Sequence, residues 1–96
     1  MAVPRLIEAI ETFGLIFQQL YGQTELAPIA TALSMENHRP GGDKLKSAGQ
    51  PTASSDIRIV NDEGDDCPPG SSGEIVVRGP HTMLGYWNKP QETARA

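Results

Sequence analysis

Tyr21, Gly22, Gln23, Thr24 and Glu25 form the stretch of this chain whose residue types suit a phosphate-bearing ligand. Glu25 supplies a hard carboxylate oxygen, of the kind that holds Mg2+ between protein and phosphates. Thr24 brings a hydroxyl that can donate to a phosphate oxygen. Gly22, without a Cβ, lets backbone come close to a ligand, and the ring of Tyr21 offers a flat surface to a nucleobase. The competing reading is a strand end with a polar turn, which often carries glycine and hydroxyl residues.

The elements around this segment decide how it is presented. Leu6, Ile10 and Phe13 recur at helical spacing, so Pro4 to Phe13 read as an amphipathic helix. Pro4 suits its first turn and Gly14 the position just past its end. Leu15 to Leu20 is a short apolar run, expected to be a buried strand. Helix, tight turn and strand make one unit of an α/β sheet, and ligands of such sheets sit beyond the carboxyl ends of strands. Residues 1–33 are accordingly read as an α/β element ending in the Tyr-Gly-x-Thr-Glu segment, with a further strand possible within Leu26 to Leu33.

Residues 34–55 are rich in Gly, Pro, Lys, Ser and Asn and read as loop. A structureless stretch that long is uncommon inside a complete compact domain. Residues 56–96 change character. Asp56 to Val60 alternates polar and apolar, Asn61 to Asp66 is a turn cluster, and Gly73 to Gly79 is a second β segment. A β-rich, barrel-like piece followed by the start of a helix at Pro90 is expected. Tyr86 and Trp87 are expected to pack in a core. The Asp62–Asp66 cluster lacks the ligand spacing of a calcium loop. His38 and His81 read as ordinary loop residues.

Composition excludes several classes. The net charge is −4, and the basic residues form no patch that would track a phosphate backbone, so nucleic acid is not an expected partner. No apolar run approaches the roughly 20 residues that span a bilayer, and the first residues do not resemble a signal peptide. The lone cysteine, Cys67, fits a reducing, cytoplasmic setting and reads as structural.

Three blocks together resemble one family. Tyr21-Gly22-Gln23-Thr24-Glu25 after an apolar strand resembles the Tyr-Gly-x-Thr-Glu signature of the adenylate-forming, AMP-binding superfamily. Gly73 to Pro80 followed by Met83-Leu84-Gly85-Tyr86-Trp87-Asn88-Lys89-Pro90 is similar to its Gly-Glu-(Ile/Leu)…Gly-Tyr-x-x-x-Pro block, and Ser47 to Pro51 to its small-residue turn. Arg78 in Val-Arg-Gly is closer to acyl-CoA synthetases than to peptide-synthetase domains. The resemblance implies a slice of the N-terminal domain of a fatty-acid–CoA or aryl-CoA ligase. Such an enzyme joins a carboxylic acid to ATP as acyl-AMP and passes the acyl group to CoA.

The implied roles fall residue by residue. Tyr21 would stack on adenine, Thr24 would contact the α-phosphate, and Glu25 would bind Mg2+. Gly22 and Gln23 lie in the same nucleotide-binding segment. Gly22, Gln19 and Leu20 would border the acyl pocket, and Ala27 and Pro28 are further candidates. The family's Ser/Thr/Gly-rich phosphate loop, its Tyr-x-Thr-Gly-Asp segment and its lid lysine are not among these residues, so the chain alone is expected to be inactive and to self-associate through uncovered strand edges. A non-catalytic β-rich interaction module, or part of an adenylation domain that loads a carrier protein, are the alternatives.

Overall fold

A computed structural model describes all residues, 1–96. Helix α1 runs Val3–Phe13, with Leu6 and Ile10 buried on one face. Those two pack on Leu45, flanked by half-buried Val3, Ile7 and Phe17. Leu6 and Ile10 are one turn apart, so they share a stripe. Pro4 occupies the first turn, and Gly14 ends the helix by donating its N–H to the Ile10 carbonyl at 2.7 Å.

The next run departs from expectation. Strand β1 covers only Gln19–Tyr21, and Leu15, Ile16 and Leu20 are exposed. The apolar run is therefore not a buried strand within these residues. The physical reason is the pairing: β1 is an edge strand with one neighbour. That neighbour is β2, Thr31–Leu33, which runs antiparallel with Tyr21 opposite Thr31 and Gln19 opposite Leu33. A two-residue β3, Gln50–Pro51, pairs antiparallel on the far side of β2. Helix and sheet are mixed, as expected, and within these residues the pairing is wholly antiparallel.

The segment read as loop, 34–55, holds two short 3-10 turns, Met35–His38 and Asp43–Lys46, as well as β3. It folds back over α1 and β1. Its Leu45 and His38 are buried. His38 is not an ordinary loop residue. Its ring is fully buried, with Nδ1 at 2.7 Å from the Ser34 carbonyl and Nε2 at 3.2 Å from the Gln19 amide. Both ring nitrogens are thus partnered, as a buried imidazole requires.

Strands β4, Asp56–Val60, and β5, Glu74–Arg78, form a two-stranded antiparallel hairpin in full register. Asn61 shapes its turn, its side-chain oxygen accepting from the N–H groups of Glu63 and Asp65. Helix α2, Pro90–Arg95, closes the chain. The five strands make two separate open sheets and do not close into a barrel. No helix is long and apolar enough to cross a membrane.

Burial is sparse: 9 of 96 residues are buried. The exposed area is 7487 Å², against about 5,400 Å² for a compact protein of this mass. The radius of gyration is 16.1 Å, where about 13 Å is usual for such a length. Trp87 is 90% exposed, so it fills no core here, and Tyr86 is only partly covered at 39% exposed. The expected packing of the pair is not met at Trp87, while Tyr86 is seated by Thr93 and Glu25 through hydrogen bonds.

Candidate functional site

The Tyr-Gly-Gln-Thr-Glu segment is the connection between β1 and β2. It leaves β1 at Tyr21, turns through the 3-10 segment Thr24–Leu26, and returns through Ala30, whose N–H donates to the Tyr21 carbonyl at 2.8 Å. Ala27 takes a left-handed conformation at φ 40° to end that turn, and Leu26 is buried beneath it. Gly22 permits the close approach: a Cβ there would lie 1.4 Å from the Pro28 carbonyl oxygen. The glycine therefore lets the loop close on itself, a use distinct from contact with a ligand.

The segment's side chains part to two clefts. Gln19, Leu20 and Tyr21 line a cleft of about 470 Å³, faced by Val3 and by Lys46 to Ala48. Gln23 and Glu25 line another, of about 580 Å³, whose far wall includes Ile75, Val77 and Tyr86. Both lie in the size range of small-molecule sites. Thr24 is exposed at the start of the 3-10 turn and lines neither cleft. The structure thus brings together Gln19, Leu20 and Tyr21, and separately Gln23 with Glu25.

Glu25 is held at both ends from a distant part of the chain. Its backbone carbonyl accepts the Met83 N–H at 2.8 Å. Its side-chain Oε1 accepts from the Tyr86 hydroxyl at 2.9 Å. Sequence reading missed this partnership. The only signal was that both residues lie in the blocks that resemble one family, since no periodicity connects residues 61 apart.

Electrostatics follows from the bond. The Tyr86 phenol is raised above its ordinary value of 10.0, first because it donates to Glu25, then by desolvation and by the carboxylate's charge. A phenol whose folded value is raised contributes stability that is present below its unfolded value and lost as pH rises through the folded one. On the alkaline side the Glu25–Tyr86 bond is therefore kept at neutral pH and lost as pH rises through the raised phenol value. A difference titration of tyrosinate absorbance between the protein and its Tyr86→Phe variant is expected to show a midpoint above 10.0. A midpoint at or below that value would count against the bond.

Mg2+ is the metal that the family resemblance suggests, and Glu25 fits a limited role toward it. No cluster of three or more His, Cys, Asp or Glu side chains gathers anywhere in the chain. One carboxylate with one oxygen engaged is compatible with an ion that takes one or two carboxylates and completes its shell with water and phosphates.

Outside this segment, His81 places Nε2 at 3.2 Å from the Ser55 hydroxyl, while its Nδ1 is buried without a partner. Cys67 lies 3.7 Å from the Ser72 carbonyl.

Comparison with known proteins agrees with the blocks. Residues 2–87 match the family described as AMP-binding enzyme. A feruloyl-CoA synthase of an Amycolatopsis species is 44% identical over 81 residues, which is 84% of this chain and 16% of that protein. A medium/long-chain-fatty-acid–CoA ligase of Mycobacterium tuberculosis is 42% identical over 91 residues, covering 95% of this chain and again 16% of the relative. The solved structure of an amide bond synthetase from Marinactinospora thermotolerans superposes with a TM-score of 0.89 at 35% identity, over 99% of this chain and 19% of that one. The chain spans about a sixth of the length of the curated relatives it matches. It belongs to the family of AMP-binding enzymes.

Proposed function

We propose that the protein carrying this chain is an acyl-activating ligase. A carboxylate oxygen of the acid attacks the α-phosphorus of ATP, the bond from that phosphorus to the bridging oxygen breaks, and pyrophosphate leaves. The thiol of CoA, losing its proton, then attacks the acyl carbon of acyl-AMP, the bond from that carbon to the phosphate oxygen breaks, and AMP leaves as the thioester forms. The observation that carries this reading is the Glu25 carboxylate, fixed by Tyr86 at the wall of a cleft that Gln23 shares.

In this reading Glu25 holds Mg2+, which when bound screens the phosphate charge. Thr24 donates its hydroxyl to an α-phosphate oxygen, stabilising charge that grows during the displacement. Tyr21 presents its ring to adenine, with Gly22 and Gln23 in the same nucleotide-binding segment. Gln19 and Leu20, which share the Tyr21 cleft, border the acyl group. Fatty and aryl acids are both candidate substrates, since relatives with names of either kind match.

The test is acid-dependent exchange of labelled pyrophosphate into ATP by the whole protein, followed by thioester formation with CoA. Exchange without a CoA product would favour a carrier protein or an amine as acceptor. No exchange with any acid would favour a non-catalytic module. The 96 residues by themselves contain no phosphate loop and are expected to give no exchange.

Uncovered apolar surface supports a second expectation. Leu84 and Trp87 are almost fully exposed, and β1 leaves one edge unpaired. The isolated chain is expected to self-associate at high concentration, because open strand edges pair readily. Light scattering checks this, and a clean monomer would refute it.

A further inference from the structure

Both long-range hydrogen bonds to Glu25 come from one segment, Met83 to Tyr86, and that segment is itself anchored. The Tyr86 N–H donates to the Thr93 hydroxyl at 2.9 Å, and the same hydroxyl donates to the Lys89 carbonyl at 2.8 Å. Gly85 permits this tight seat against α2, since a Cβ there would come within 2.7 Å of the Thr93 methyl. The phenol then reaches Glu25 Oε1, while Met83 holds the Glu25 backbone. No hydrogen bond or ion pair engages the other carboxylate oxygen, Oε2.

We propose that Tyr86, seated on Thr93, is a positioning residue for Glu25 that occupies one carboxylate oxygen and leaves the other for a divalent cation. The inference rests on the metal role proposed for Glu25 above. Its physical basis is that a hydrogen bond to a ligating carboxylate fixes rotamer and ligating oxygen together, and such outer partners change metal affinity when removed. A free glutamate would have to order its side chain on binding, at the cost of rotamer entropy.

The test is a titration of Mn2+ in the presence of ATP, without acid so that no turnover occurs, on the whole protein. Free Mn2+ is read by electron paramagnetic resonance. Tyr86→Phe is expected to weaken Mn2+ binding roughly ten-fold, with metal-free ATP affinity unchanged and the thermal midpoint lowered only by the loss of one exposed hydrogen bond. Thr93→Val keeps the phenol and removes the hydroxyl that seats it. It is expected to shift binding the same way and to add nothing in the double variant. If Glu25→Gln weakens Mn2+ binding and neither Tyr86→Phe nor Thr93→Val does, the positioning role is overturned and the metal role stands. If Glu25→Gln also leaves binding unchanged, the metal role itself fails and the inference with it.

Discussion

Glu25→Gln in the whole protein is expected to slow adenylate formation by roughly ten-fold or more, because charge stabilisation at the phosphates is lost. Glutamine keeps the shape and an oxygen able to accept from Tyr86, so the 2.9 Å bond can persist. What goes is the negative charge, and with it most of the attraction for Mg2+. The loss should therefore lie in the exchange rate and in the Mg2+ requirement, with the thermal midpoint little changed. Pyrophosphate exchange across a Mg2+ series separates these. An unchanged rate at limiting Mg2+ would remove Glu25 from the site, and a collapse of the fold would assign it to structure instead.

The other large effect concerns stability. Gly22→Ala is expected to cost about 3 kcal/mol or more, since overpacking against backbone has no cheap relief. The new Cβ would lie 1.4 Å from the Pro28 oxygen, 2.4 Å from its carbon and 2.9 Å from the Ile29 Cα. None of these is the tip of a flexible side chain. The loop cannot swing away either, because the Ala30 to Tyr21 bond pins its base. Gly70→Ala is the control. Gly70 has φ +87°, and a Cβ added there would meet nothing within 4 Å, so it isolates backbone strain from crowding. Urea unfolding of both variants decides. A Gly22→Ala cost no greater than that of Gly70→Ala would mean that the close approach does not exist in solution.

Legibility in the sequence followed what periodicity encodes. Helix α1 and the β4–β5 hairpin could be read, since Leu6 and Ile10 share a helical stripe and Asp56 to Val60 alternates as a strand does. Pattern of this kind names a face, not the partner that covers it. So the antiparallel pairing of β1, the exposure of Leu15 and Ile16, and the burial of His38 were not readable. Leu15 to Leu20 has the composition of a covered strand, yet the described residues supply only β2 beside its end. The candidate site was readable as residue types and as a family resemblance. Its geometry was not: the division of Tyr21 and Glu25 between two clefts depends on the loop's closure at Gly22. Tyr86, read as packing, proved to be a hydrogen-bond donor to Glu25.

The separation of that pair along the chain has a kinetic meaning. Tyr86 reaches Glu25 across 61 residues, further than any other side-chain hydrogen bond in the molecule. Closing a longer loop costs more chain entropy, and contacts of high sequence separation slow the search for the native state. The β4–β5 hairpin and the β1–β2 pair are each sewn from nearer residues. The Glu25–Tyr86 contact ties the β1–β2 unit to the segment that follows the β4–β5 hairpin, so its formation reports that the two have come together.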